Sequence, residues 1–183
     1  MSHDTWILHV GEGQGRILLY LVKRYVEDLE PLLPSVESDD PLAQLDAEIQ
    51  AGAKSGETIV RDPELLRLFP PALADPMDAA RFRRDAVATQ ARTRLEAARK
   101  VLDYIGDGGN SQLVVATEDV DAWVSVLAAI RAQWHVELTG TADRLAQPTE
   151  MDIREDPETA AILDWLALMI EEALHAERRR DEQ

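Results

Sequence analysis

The chain has 183 residues, of which 19 are basic and 35 acidic, so that its formal net charge is −16. It contains no cysteine, which excludes disulfides, thiol nucleophiles, iron–sulfur clusters and zinc ribbons. The negative charge disfavours contact with nucleic-acid phosphates and anionic lipids, so we expect no direct nucleic-acid partner and no membrane partner. No apolar run is long enough to span a bilayer and the N-terminus lacks a secretory-signal pattern, so we expect a cytoplasmic location.

The first twenty residues predict a β-hairpin. Two apolar runs, residues 6–10 and 17–21, flank a glycine-rich segment over residues 11–15, and glycines between two short apolar runs are typical of a hairpin turn. A helix should then begin near Val22 and end by Pro34, because proline disfavours a helical conformation in the residue before it.

Four Asp-Pro dipeptides predict the starts of four helices, because aspartate is a good N-cap and proline fits the first helical position. They stand at residues 40–41, 62–63, 75–76 and 156–157. The first helix should end near residue 51, before a loop through Gly52 and Gly56, and the second at the prolines 70–71. The third should continue to about residue 105, and the fourth to about residue 176.

The second half of the chain predicts further elements. Residues 113–116 are a candidate third short strand, and Thr117 is a candidate cap for a helix whose apolar side chains repeat every three or four residues. Residues 140–156 are predicted as a loop. The last helix is apolar on most sides, which is typical of a central core helix or of half a dimer interface.

These elements predict a mostly α fold, with alanine and leucine favouring helix throughout. We expect a single-domain helical bundle over residues 1–176 with a small N-terminal β-hairpin. Residues 177–183 form a charged tail that we expect to be frayed. The apolar last helix suggests a homodimer.

One helix concentrates basic residues in this acidic chain. Arg81, Arg92 and Arg99 fall on one face of the third predicted helix, with Arg84 close by, and Arg83 belongs to the same basic stretch. One interpretation is a salt-bridge seam within or between subunits. The other is a docking site for an acidic partner or a phosphate-bearing ligand, since arginine forks onto carboxylates and phosphates. No aromatic residues are interleaved, as a nucleic-acid stripe would require.

No motif supplies a catalytic residue, a metal ligand or a cofactor site. Glu172 and His175 have the Glu-x-x-His spacing of di-iron bundles, but such bundles need that spacing twice. Asp152, Glu155 and Asp156 are candidate Mg²⁺ ligands, although their place near helix ends favours interaction with backbone N–H groups instead. An Mg²⁺-dependent hydrolase therefore stays a distant alternative, and we expect no enzyme activity.

A family resemblance emerges at residues 62–72, which include Arg-Leu-Phe-Pro-Pro-Ala. This segment resembles the signature of the actinobacterial AosR-like proteins, a domain-of-unknown-function family. Phe82-Arg83-Arg84, Ala122-Trp123 and Asp164-Trp165-Leu166 resemble other parts of that family. The resemblance implies an actinobacterial regulator, since some members are described as oxidative-stress regulators that contact the transcription machinery. Their redox role rests on cysteines, so thiol sensing is not transferred to this chain.

The signature residues also have a physical interpretation. We expect Phe69 to fill the core, Pro70 and Pro71 to end a short helix, and Trp123 and Trp165 to anchor the core. Arg67 is a candidate partner for a buried Asp164, because a carboxylate in an apolar helix needs a partner. On that hypothesis, Asp164→Ala would destabilise the fold.

Regulation by protein contact, in the control of stress-linked transcription, is the function that we expect from the sequence. The alternative is a small-molecule module in which Arg67, Arg83 or Arg84 holds the phosphate or carboxylate of a ligand. A regulator would co-purify with a protein, whereas a ligand-binding module would gain melting temperature with a metabolite.

Overall fold

The fold comprises seven α-helices and one small sheet in the residues that the structure covers. A computed structural model of the chain describes residues 5–34 and 40–181, without the side chains of residues 48, 83–85 and 179–181. The elements in chain order are β1 (Thr5–His9), α1 (Gln14–Leu29), α2 (Pro41–Arg61), α3 (Pro63–Leu68), α4 (Pro76–Ile105), β2 (Gln112–Ala116), α5 (Val120–Thr139), α6 (Glu150–Glu155) and α7 (Pro157–Asp181). The predicted mostly α fold is confirmed.

The sheet pairs the first strand with a distant one. β1 and β2 are antiparallel, with Thr5 opposite Ala116 and Ile7 opposite Val114. Trp6 on β1 is buried, as is the side chain opposite it on β2, so one face of the sheet covers the core. The partner of β1 is thus the candidate third strand.

The predicted hairpin within residues 6–21 is wrong, because residues 14–29 form α1. The side chains that α1 buries are spaced three or four residues apart, and this helical period outweighs the short apolar run that resembled a strand. They include Leu18, Leu21, Val22, Tyr25 and Leu29.

The glycines of that segment serve a close backbone contact instead of a hairpin turn. Gly13 has φ 81° at the N-cap of α1, a conformation that favours glycine. A Cβ atom on Gly15 would lie 2.5 Å from the carbonyl oxygen of Gly108. The absence of side chains therefore lets α1 touch the loop that leads into β2.

All four predicted helix starts are confirmed at the Asp-Pro dipeptides. The side chain of Asp62 accepts hydrogen bonds from the backbone N–H groups of Glu64 and Leu65, and Asp75 caps α4 in the same way. Asp40 and Asp156 each accept one such bond. These caps satisfy N–H groups that a helix start would otherwise leave without a partner.

The predicted loop through Gly52 and Gly56 is wrong, since α2 continues to Arg61. Ile59 is buried in the core, and the buried hydroxyl of Ser55 donates to the carbonyl oxygen of Leu32 over 3.3 Å. Tertiary packing of this second half of α2 outweighs the cost of about 1 kcal/mol that each glycine imposes on a helix.

Three boundaries in the second half also differ from the predictions. α5 begins at Val120, after a 3-10 turn over Thr117–Asp119, so Thr117 is not its cap. α6 lies inside the predicted loop, where Thr149 and Asp152 form a reciprocal capping box. α7 continues to Asp181, so its charged last turns are helical beyond the predicted end near residue 176.

α5 lies at the centre of the core, in contact with α3, α4 and α7. Trp123 is fully buried, and α7 packs Leu166 and Met169 into the same core while Leu168 stays exposed. Within the described residues, no helix is both long and apolar enough to cross a membrane.

Replacement of Gly15 by alanine tests the close contact with Gly108. The added methyl would overlap a backbone oxygen that cannot move independently, so we expect Gly15→Ala to lower the free energy of unfolding by about 2 kcal/mol or more. Gly109→Ala is the control, because its Cβ would meet only the flexible side chain of Asp107, at 3.1 Å. Urea unfolding measures the free energy of unfolding of both variants. A decrease for Gly15→Ala as small as that for Gly109→Ala would contradict the close contact.

Candidate functional site

The signature segment contributes mainly to the core. Phe69 is buried, as predicted, and the guanidinium of Arg94 lies 5.2 Å from the centroid of its ring. Arg94 also donates to the carbonyl oxygen of Leu68 over 3.1 Å. Pro70 is half-buried and Pro71 exposed where the chain leaves α3.

The predicted pair of Arg67 with a buried Asp164 is wrong. Asp164 lies on the exposed side of α7, where its carboxylate is solvated and needs no buried partner. Arg67 instead donates a hydrogen bond to the carbonyl oxygen of Asp143 in the loop after α5. The structure therefore gives no reason for Asp164→Ala to destabilise the fold, while Trp165 is half-buried against the core.

Arg67 belongs to a group of basic side chains, which we call the basic cluster: Arg67, Arg131, His135 and Arg144. Burial lowers the pKa of Arg67, and the positive charge of Arg144 lowers it further. Burial likewise lowers the pKa of His135, with Arg67 and Arg131 adding to the effect. Among the ion pairs of the described side chains, none involves these arginines. The carboxylate of Asp143 acts in the opposite direction on the pKa of Arg67, and Arg131 Nε donates to the carbonyl oxygen of Leu163 over 3.3 Å.

The predicted arginine stripe on α4 is solvent-exposed. Arg81, Arg92 and Arg99 form no ion pair with any side chain that the structure describes, so the described side chains give no support to a salt-bridge seam at these arginines. The side chains of Arg83 and Arg84 lie outside the described part.

A second polar group links three helices through Arg24 on α1. Its Nη2 atom lies 3.1 Å from Glu64 Oε1 on α3 and 3.0 Å from Glu137 Oε2 on α5. The guanidinium also stacks 5.3 Å from the centroid of the Trp134 ring. Its carboxylate partners are far away in sequence, so no local spacing could have predicted this group.

Glu64 is the titratable centre of the Arg24 group. Burial raises its pKa from 4.5 to about 7; Arg24 opposes this shift, and the neighbouring carboxyl of Glu137 adds to it. Two carboxyl groups beside one guanidinium favour retention of a proton. This arrangement can make the packing of α3 on α5 sensitive to pH.

An exposed apolar face follows one side of α2. We define the α2 face as Leu42, Leu45, Ile49 and Val60 of α2 together with Met77 of α4, all exposed. A groove of about 540 Å³ runs beside Val60 and Met77. The spacing of Leu42, Leu45 and Ile49 in the predicted helix could have revealed the first part of this face, whereas the loop predicted at the two glycines concealed the part at Val60.

Two of the three acidic residues weighed as Mg²⁺ ligands, Asp152 and Asp156, serve as helix caps, and Glu155 is exposed at the end of α6. Asp152 accepts hydrogen bonds from Thr149, and Asp156 accepts one from the Thr159 backbone. His175 is 2.9 Å from the carbonyl oxygen of Glu171, through Nδ1. In the part of the chain that is described, no group of three or more carboxylate or imidazole side chains could hold a metal ion.

Residues 10–177 match the family described as a domain of unknown function, DUF2017. The chain belongs to this family. The DUF2017 region extends from the end of β1 into α7, so it includes the basic cluster, the Arg24 group and the α2 face. No curated protein and no solved structure matches the chain significantly.

The Arg24 group predicts a pH dependence of stability for this DUF2017 member. Because the folded pKa of Glu64 is raised above the ordinary 4.5, the folded protein binds the proton more tightly than the unfolded chain does. The contribution of Glu64 to the free energy of unfolding therefore falls as the pH rises from about 4.5 to about 7. Glu64→Gln should remove that contribution.

Urea unfolding across this pH range compares the wild type with Glu64→Gln. Glu57→Gln is the matched control, because Glu57 is exposed and pairs only with Arg61 among the described ion pairs. The same pH profile for wild type and Glu64→Gln would contradict the raised pKa.

Proposed function

We propose that the chain is a regulatory protein that acts by contact with another protein through the α2 face. The observation that supports this proposal is the exposure of its large apolar side chains, 77% for Leu42, 62% for Ile49 and 82% for Met77. Single exposed apolar residues are common on proteins, but contiguous apolar patches mark interaction sites.

The shape of the α2 face favours a helix as the binding segment of the partner. The apolar positions from residue 42 to residue 60 extend over about 27 Å at the helical rise. Ala53, Gly56 and Ala80 line the groove with little side-chain bulk, so a second helix can approach closely. An amphipathic helix that lays its apolar side in such a groove is a common recognition mode.

The charge of the chain favours a basic partner. A net charge of −16 attracts a positively charged protein over several ångströms and repels another acidic one. We therefore propose a partner helix with basic residues beside its apolar side, rather than a second copy of this chain.

The resemblance to AosR-like proteins suggests where the partner acts. We propose that the partner controls transcription under stress and that this actinobacterial protein responds without cysteine chemistry. The apolar side chains of α7 that suggested a homodimer, such as Leu166 and Met169, pack into the core of the same chain, so we propose no homodimer through α7.

A double substitution tests the proposed contact. The tagged wild-type chain should capture one protein from the lysate of the native host, and the identified protein should bind the purified chain. Leu42→Glu with Ile49→Glu should weaken this binding by a factor of about 100, since each places a carboxylate in an apolar contact. Calorimetric titration gives both dissociation constants.

The matched control is Leu145→Glu, because Leu145 is an exposed leucine in the loop after α5. It should bind like the wild type, and the melting temperatures of all three proteins should agree within a few degrees. The proposal would be contradicted if the double variant bound the partner as tightly as the wild type does. It would also be contradicted if light scattering showed a dimer of the wild type that the double variant does not form.

The basic cluster supports a second candidate function, the binding of a small molecule through a phosphate or carboxylate group. Three arginines without a carboxylate ion pair in the described structure can fork onto such a group. Pyrophosphate should raise the melting temperature of the wild type and of Arg92→Gln, but not that of Arg131→Gln. Equal shifts in all three would contradict a site at the cluster.

A further inference from the structure

The hydrogen-bond pattern of the sheet shows which backbone groups of β1 face away from β2. The Val10 N–H donates to the carbonyl oxygen of Ser111 over 3.0 Å, one step beyond the paired strands. Antiparallel partners alternate between bonded and non-bonded pairs, so Trp6 and Leu8 bond to β2. The N–H and C=O groups of Thr5, Ile7 and His9 therefore point to the outer edge of β1.

A side chain of α4 occupies one end of the outer edge of β2. The Ala116 N–H, which points away from β1 in this pattern, donates to the Tyr104 hydroxyl over 3.3 Å. Tyr104 is in turn held by Asp119, to which its hydroxyl donates over 2.8 Å. This contact confirms the pattern and occupies one outward N–H group of β2.

A groove of about 600 Å³ runs along the outer edge of β1, between this strand and α7. We call it the β1 groove. Its strand side includes Thr5, Ile7 and His9, whose backbone groups point outward, and its helix side includes Leu168, Glu171 and Glu172. No residue of β2 lines it. In the described chain, no backbone hydrogen bond joins the outer edge of β1 to another segment.

We propose that the β1 groove binds an extended segment of another protein, which adds to β1 as a third strand and places a basic side chain beside Glu171 and Glu172. Strand addition supplies partners for the outward N–H and C=O groups of β1. The apolar side chains of Ile7 and Leu168, 45% and 59% exposed, supply contacts for a neighbouring apolar side chain. This surface is separate from the α2 face, and neither proposal depends on the other.

The charges of the groove favour a basic segment over a second copy of this chain. If β1 paired with β1 of a second copy, the two-fold symmetry would bring Glu171 and Glu172 of both subunits to the same interface. Like charges at close range oppose such a dimer. A segment with lysine or arginine turns the same carboxylates into attractive partners.

Two capped hexapeptides test the proposal on the full chain. Lys-Val-Lys-Val-Lys-Val should bind with a dissociation constant below about 1 mM, and Glu-Val-Glu-Val-Glu-Val should bind at least about ten-fold more weakly. Bound peptide should slow hydrogen exchange at the Ile7 and His9 backbone amides. This change reports strand addition, which a loose ionic contact with the α7 carboxylates would not produce.

Two proline variants compare the outer edge of β1, which borders the groove, with that of β2, which does not. Ile7→Pro removes an outward N–H of β1 without the loss of a bond to β2, and proline is tolerated on sheet edges. It should weaken the lysine peptide about ten-fold, as expected for a lost backbone hydrogen bond and a strand of altered shape. Val114→Pro removes the corresponding N–H on β2, outside the groove, and should bind like the wild type.

A charge variant keeps the test valid if a proline variant unfolds. Glu171→Lys with Glu172→Lys should lose the lysine peptide and gain the glutamate peptide, with an unchanged melting temperature because both side chains are exposed. No binding of the lysine peptide at 1 mM, about the upper limit of the expected range, would overturn the proposal. The proposal would also be overturned if the bound lysine peptide left hydrogen exchange at the Ile7 backbone amide unchanged. A dimer of the wild-type chain that Ile7→Pro dissociates would overturn it as well.

Discussion

The burial of Trp123 on α5 is the constraint on which the rest of the fold depends. Its ring meets Trp6 of β1 edge-on at 5.6 Å and Tyr104 of α4 at 6.3 Å, so three elements share one aromatic contact. The indole N–H has no hydrogen-bond partner in the described structure, a cost of about 1–3 kcal/mol that packing of the large ring offsets. Tyr104 extends the effect, because its hydroxyl accepts a hydrogen bond from the Ala116 N–H at the outer edge of β2.

The surfaces with functional potential lie around this core rather than in it. The α2 face is apolar, the β1 groove is bounded by carboxylates, and the basic cluster joins α3 to α5. The structural signature near Phe69 stabilises the position of α3 instead of forming a site of its own. The proposed regulation by contact rests on these exposed surfaces, not on the buried, mainly aliphatic core.

Short sequence motifs correctly predict the structural features that depend on interactions between residues close in the sequence. Each Asp-Pro start is correct, because a capping carboxylate bonds to N–H groups only two or three residues ahead. The predicted hairpin is wrong because Gly15 lies in a helix and allows close backbone contact with Gly108, which is distant in the sequence. The second half of α2 is not predicted, because it is stabilised by the tertiary contacts of Ser55 and Ile59 rather than by its local sequence. The partners of Arg67 and Arg24 lie on other elements, so the candidate site required the fold.

If the chain regulates by contact, the α2 face is covered by another protein in the cell. A photo-crosslinking amino acid at position 49, expressed in the native host, tests this directly and needs no candidate partner. The same amino acid at position 145 serves as the reference. One discrete adduct with another protein from position 49, and none from position 145, is the predicted result. No adduct from position 49, or the same adducts from both positions, would contradict it.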